Sequence, residues 1–344
     1  MQSPFRLYGA ELSPYSIKVR SYLRFKKLPF EWLPRTNARQ EEFQRYAKLP
    51  LIPVLVDAAD NAFQDSTPII EQLEARYPDP TIIPEDETLA FVAALLEDYA
   101  DEWLNKAMFH YRWTYPADQE SAAQRIADAI FEGSEKPAGI EDAIRTRMIG
   151  RLHYVGSSPQ TAPVIEESFS RLIALLDRML AARAYLFGGR PCLADFGLAG
   201  QLTELLSDPT PGALIKAHAP NVVRWIDRME NPDVEGAFVP LSAVAGDLEE
   251  LLRVEVAGAY LPWMVANAEA VARDVQTMSV EIGGGAFGQR PQRYAAKAWD
   301  EICRKRAEIS ESSLSNLLSA AGCEGPLVAG DDSEAFASDA DETT

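Results

Sequence analysis

The chain has 344 residues, 47% of them hydrophobic and 25% charged, and 52 acidic against 33 basic side chains give a formal net charge of −19. That length exceeds one hydrophobic core and predicts two domains or more, while the acidic excess excludes nucleic acid, whose phosphates demand clustered Lys and Arg. Cys192, Cys303 and Cys323 are odd in number and widely spaced, which excludes a disulfide framework and a cysteine zinc site and points to a reducing compartment with no bound metal.

No secretory signal precedes Phe5, and no uncharged apolar run reaches the roughly 20 residues needed to span a bilayer, so a cytoplasmic protein with no membrane partner is expected. Residues 5–9 (FRLYG) read as a strand, and Ser13 followed by Pro14 matches the N-cap and first-turn preferences of a helix over 14–27. Phe30 to Leu33 reads as a second strand, NARQEEFQRYAKL (37–49) as a second helix and LPLIPVLVD (49–57) as a short β-branched strand. A turn at 57–61, a return strand at 62–64 and a helix opening at DSTPIIEQLEARY (65–77) complete a β-α-β-α-β-β-α unit in about 78 residues.

From Pro84 the pattern is helical. Leu89, Val92, Leu96, Tyr99, Trp103 and His110 recur mostly at three- and four-residue steps along one face of a long helix. Further helices are predicted near 119–132, 139–154, 162–184, 193–207, 213–218 and 220–230. Beyond Pro240, a helical stretch over 247–276 bends at Pro262, and another helix covers 291–309. Between them, Gly283-Gly284-Gly285-Ala286-Phe287-Gly288 formally satisfies a dinucleotide fingerprint but lacks the βαβ unit that gives it meaning, and reads as a flexible turn. Arg304-Lys305-Arg306 reads as a solvated helix end, and the acid-rich segment 323–344 as a disordered tail.

A β-α-β-α-β-β-α unit followed by an all-α domain resembles the glutathione transferase superfamily. Three stretches carry the resemblance in order: Ser13-Pro14-Tyr15-Ser16 between the first strand and helix, LIPVL (51–55), and QDSTPIIEQLE (64–74). The resemblance implies a thioredoxin-like glutathione-binding domain over 1–78 and an all-helical domain over 86–240. A mostly helical extension over 241–322 has no counterpart in two-domain members. It further implies glutathione as co-substrate, a small hydrophobic second substrate, a detoxifying transferase activity and a homodimer. Two departures stand out. Leu51 occupies a position often held by a Lys or Gln that contacts glutathione, leaving that contact missing or supplied by Lys48. The helix-capping box of the helical domain reads Cys192-Leu193-Ala194-Asp195, and cysteine is a poor N-cap.

The chemistry this implies is stabilisation of a thiolate. A thiol of pKa near 8.5 is a weak nucleophile until ionised, and a helix start offers unpaired N–H groups and about half a positive charge. By its type and position Ser13 either caps the helix or points its hydroxyl at a ligand; the resemblance makes it the catalytic residue, with Ser16 structural and Tyr8 and Tyr15 as rival phenolic donors. The resemblance makes Pro53 cis, frees the Ile52 backbone to pair with the glutathione peptide, and gives Asp65 and Ser66 the γ-glutamyl group. Cysteine is absent from residues 1–191, which disfavours thiol exchange against conjugation, elimination or isomerisation. Tyr99, Trp103 and His110, with Trp113, are the candidate wall for the electrophile, against the alternative that such a stripe is core. The competing reading of the whole chain is a non-catalytic binding protein whose extension covers or replaces the cleft.

Overall fold

A computed structural model describes residues 4–329. The N-terminal unit forms a four-stranded sheet of β1 (Phe5–Gly9), β2 (Phe30–Pro34), β3 (Val54–Val56) and β4 (Ala62–Gln64), ordered β2-β1-β3-β4. β1 runs parallel to β2, from Phe5 opposite Phe30 to Gly9 opposite Pro34, and antiparallel to β3, with Tyr8 opposite Val54. Helices α1 (Pro14–Phe25), α2 (Gln40–Tyr46) and α3 (Ser66–Arg76) cover it. Phe43 of α2 closes one face over Tyr8, Leu33, Val54 and Val56. Leu7 and Leu55 point the other way and join α1 and α3 to the main core of the molecule.

The helical part comprises α4 (Glu87–Tyr99), α5 (Asn105–Thr114), α6 (Pro116–Ile130), α7 (Ile140–Ile149), α8 (Ala162–Met179), α9 (Leu193–Ser207), α10 (Pro209–His218) and α11 (Pro220–Glu230). α4 and α5 are one long helix joined by a π-helical turn over Ala100–Leu104. The start of α9 is held by Asp195, whose carboxylate accepts from the backbone N–H groups of Cys192 (2.9 Å) and Leu186 (3.0 Å) and from Trp225 Nε1 (3.0 Å). That set of buried donors does the work a Ser or Thr would share at position 192.

The segment after 240 contributes α12 (Ala245–Leu251), α13 (Leu261–Ala272), a hairpin of β5 (Met278–Ile282) and β6 (Gly285–Gln289), α14 (Arg293–Ala307), α15 (Ser312–Ala321) and α16 (Glu324–Ala329). Pro262 falls in the first turn of α13, directly after a π-helical stretch over Leu252–Tyr260 that continues from α12. Three expectations are corrected here. The glycine run is the turn and second strand of a hairpin: Gly283 and Gly284 take positive φ (60° and 79°), as a two-residue hairpin turn requires. Fully buried Phe287 then fixes β6 against Trp103, with ring centroids 5.3 Å apart. Lys305 and Arg306 are not a solvated helix end, because Lys305 Nζ reaches Glu71 at 2.7 Å and buried Arg306 spans Glu324, Ser315 and the Ile309 carbonyl. Residues 323–329 are not disordered tail, since Cys323 and Leu327 are fully buried and α16 caps the fold. Residues 330–344 lie outside the described part.

Candidate active site

Ser13 is the N-cap of α1, in extended conformation (φ −121°, ψ 109°), with Pro14 supplying the pre-set φ of the first turn. Its Oγ accepts from the Ser16 backbone N–H (3.3 Å) and from the Ser16 hydroxyl (3.0 Å), and Ser16 Oγ in turn accepts from the Ala10 N–H (3.3 Å). Capping therefore uses the lone pairs of Ser13 and leaves its own O–H to donate, polarised by the chain of donors behind it. Of the two alternatives open at the sequence level, the geometry shows the cap, and the cap uses the oxygen without using its proton.

The phenols are committed elsewhere. Tyr8 is fully buried on the α2 side and donates to Glu42 at 2.6 Å. Tyr15 donates to the Asp101 carbonyl (3.1 Å) and accepts from Asn105 Nδ2 (3.3 Å). Burial pushes both phenols above their ordinary range, so neither supplies a phenolate.

The Ile52–Pro53 bond is cis, Pro53 is buried and β3 begins directly after it at Val54. Leu51 is 60% exposed and Lys48 is exposed beside it. A residue the sequence reading passed over, Gln64, shapes this loop: its amide donates to the carbonyls of Leu49 and Leu51 (2.8 Å each) and accepts from the Leu49 N–H (3.1 Å). The only sequence signal was its place directly before Asp65.

Asp65 stands at the start of α3 with φ +83°, a conformation rare for a residue with a side chain, and its carboxylate makes no capping bond. Ser66 is 1% exposed, and its Oγ receives Lys18 Nζ at 3.3 Å. Lys18, also buried, bonds Thr67 Oγ1 (3.0 Å), Asp101 Oδ2 (2.6 Å) and Glu97, tying α1, α3 and α4 into one polar junction. Around it lie Asp98, Asp101 and Glu102. Burial raises the carboxyls of Asp98 and Asp101 to about 7, and burial with Asp98 alongside holds Glu102 up as well. Lys106, beneath the Trp263 ring at 3.6 Å, is pushed down to about 7 by burial. Buried carboxyl groups thus crowd the ground between Ser66 and α4, with the Lys18 ammonium already among them.

The aromatic stripe is not a pocket wall. Tyr99 is fully buried and donates to Glu255 (3.1 Å); Trp103 is 3% exposed, with Nε1 bonded to Ser168 (2.9 Å) and its ring against Trp263 and Phe287. His110 is fully buried, its ring nitrogens on Ser157 (2.8 Å) and Glu166 (2.9 Å). Trp113 is core as well, at 1% exposure. The extension supplies the cover, through Glu255, Trp263 and Phe287. Beside Ser13 in the chain, Leu12 is one of several partly buried side chains, with Phe109, Met148 and Leu152, that pack against the buried Trp113, Ala122 and Ala123. Among the described residues no cluster of His, Cys, Asp and Glu has the makings of a metal site, and no helix is long and apolar enough to cross a membrane.

Family models of the glutathione S-transferase N-terminal and C-terminal domains match residues 7–81 and 137–228. An isoprene-epoxide glutathione S-transferase from Rhodococcus sp. (strain AD45) is 25% identical over 222 residues, covering 64% of this chain and 92% of the relative. A probable maleylacetoacetate isomerase from Vibrio cholerae is 39% identical over 85 residues, covering 23% of this chain and 39% of the relative. Among solved structures, the beta-etherase LigF from Sphingobium is 19% identical, with a TM-score of 0.49 over 66% of this chain and 95% of that one. With the β-α-β-α-β-β-α unit, the cis Pro53 and the helical domain in the same order, the chain belongs to the glutathione S-transferase superfamily.

Proposed function

We propose that the chain binds glutathione at the start of α1, holds its sulfur as a thiolate through Ser13, and delivers it to a small apolar electrophile. The observation that carries this reading is the Ser13 hydroxyl, whose lone pairs are occupied by Ser16 while its proton remains to be donated at a helix N-terminus. Ile52 would pair with the peptide across the strand edge beside Pro53. Asp65 and the α3 start at Ser66 would take the γ-glutamyl ammonium and carboxylate. The electrophile would rest on Leu12, Phe109, Met148 and Leu152 rather than on the buried stripe. In the reaction the thiol proton leaves to solvent, a carbon–sulfur bond forms, and the bond to the leaving group, or an epoxide C–O bond, breaks with its electrons on the departing atom. Conjugation is the simplest outcome, with elimination or isomerisation as variants of the same attack. The similarity to an isoprene-epoxide transferase and to a maleylacetoacetate isomerase supports both ends of that range.

Ser13→Ala tests it. A hydrogen bond to a charged group contributes about 1.5–3 kcal/mol, so the bound thiol's pKa should rise by about 1–2 units while glutathione affinity changes little. Thiolate absorbance followed against pH reads this directly, and an unchanged thiol pKa removes Ser13 from the mechanism.

A second reading, a non-catalytic binding protein, is favoured by the extension's occupation of the aromatic face and by Tyr294, which lies against Asp65. Glutathione binding without conjugation of any small epoxide or halide would select it. Glutathione at 100 times its Kd would still add about 2.7 kcal/mol of stability.

A further inference from the structure

We propose that Tyr294, on the extension beyond both matched domains, is a positioning residue of the γ-glutamyl subsite, its hydroxyl fixing the Asp65 carboxylate to receive the ligand's ammonium group. The proposal rests on the glutathione reading above and extends it to a part of the chain with no counterpart in the family models. An aspartate at a helix start ordinarily spends its carboxylate on the N–H groups of the first turn. Asp65 does not. Its carboxylate turns to Tyr294, 229 residues further on, which is its only hydrogen-bond partner among the described residues.

Tyr294 is held in place from both sides. Two residues before it, the backbone of Gln292 is clamped by fully buried Asn267, whose Oδ1 accepts from the Gln292 N–H (2.7 Å) while its Nδ2 donates to the Gln292 carbonyl (2.9 Å). Eleven residues after it, Lys305 Nζ is bound to Glu71 of α3 at 2.7 Å. Tyr294 is 58% exposed, so apolar burial does not explain its placement; the hydroxyl's bond to Asp65 does. A phenolic O–H given to one carboxylate oxygen leaves the lone pairs on the other for a second donor. Phenol and ammonium are both donors to Asp65 and do not compete for its charge.

Calorimetric titration of the full chain with glutathione, and with the analogue in which a glutaryl group replaces γ-glutamyl and the ammonium is missing, tests the proposal. Tyr294→Phe should weaken glutathione binding about tenfold, as loss of one charge-assisted hydrogen bond implies, and leave the glutaryl analogue within about twofold of wild type. In an Asp65→Asn background Tyr294→Phe should add little, and Tyr294→Gln, which restores a donor without the ring, should recover part of the loss. Equal loss for both ligands would make Tyr294 merely structural, and tighter glutathione binding by Tyr294→Phe would make it a plug; either overturns the proposal with the glutathione site intact. A wild-type chain that binds neither ligand overturns the site and the proposal together.

Discussion

Replacing Lys18 by methionine tests the junction that joins the two domains behind the proposed site. The ammonium is 1% exposed, lies 2.6 Å from Asp101 Oδ2 and touches Glu97, while the other Asp101 oxygen is buried without a partner. Methionine matches the stem and deletes the charge, so two carboxylates are left in a dry site. Removing one partner of a buried ion pair costs about 3–5 kcal/mol, most of it the penalty of the uncompensated charge. An unfolding entropy of roughly 2.1 cal/mol/K per residue gives about 0.7 kcal/mol/K over the 344 residues, so Tm should fall by about 4–7 °C. Scanning calorimetry reads the loss. The triple variant Lys18→Met, Glu97→Gln, Asp101→Asn should regain most of it, because the orphaned charges are gone. A single variant within about 1 °C of wild type, or a triple no better than the single, would refute the reasoning.

Gly200→Ala should destabilise by about 1–3 kcal/mol and weaken glutathione binding, since its Cβ would stand 2.6 Å from the Pro14 carbonyl and push the first turn of α1, with Ser13, out of place; denaturant titration and calorimetry give both values. Phe287→Ala should cost about 3–5 kcal/mol in a urea melt, as expected for an aromatic removed from a core; a loss near zero would mean the hairpin is not part of the fold. Stability should fall as pH rises between about 5 and 7. Burial lifts the carboxyls of Asp98, Asp101 and Glu204 to about 7 and Asp195 to about 6, so the native state keeps protons that the unfolded chain, titrating near 4, has already released. A Tm that climbs over that window would contradict it.

The first 78 residues were legible because each element there is announced locally. Ser13-Pro14 starts α1, Val54–Val56 is β-branched and Asp65-Ser66 opens α3, so neighbouring residues decide the structure. The stripe Tyr99, Trp103, His110 shows the limit of periodicity. A period of 3.6 says that one face is apolar and is silent on what covers it. Here Tyr99 and Trp103 are covered by Glu255, Trp263 and Phe287, all more than 150 residues downstream, and His110 by Ser157 and Glu166 of the helical part. The hairpin escaped notice for a related reason. Strand β6 reads Gly-Ala-Phe-Gly-Gln, with no β-branched residue, and it is held by Phe287 entering the core over Gly156, where a Cβ would stand 2.6 Å from the Phe287 ring. Such a contact belongs to the tertiary fold and leaves no trace in the local pattern.

The placement of the extension also separates the two halves of the proposed site. Its apolar side is spent on the aromatic face of α4 and the turn after it, through Tyr260 on Tyr99 and Trp263 on Trp103, so that face is core. Its polar side reaches the N-terminal unit at two points, Tyr294 on Asp65 and Lys305 on Glu71. The surface proposed for an electrophile is formed by Leu12, Phe109, Met148 and Leu152, which come from the loop into α1, from α5, and from the α7 end with the short turn after it. Electrophile choice would then be set by residues near 109 and 148–152, and the grip on the peptide by residues 65, 66 and 294. On the proposed reading the thiol would lie between them at Ser13, next in the chain to Leu12, so a change in either half should move its own Kd or KM and leave the sulfur's ionisation to the helix start.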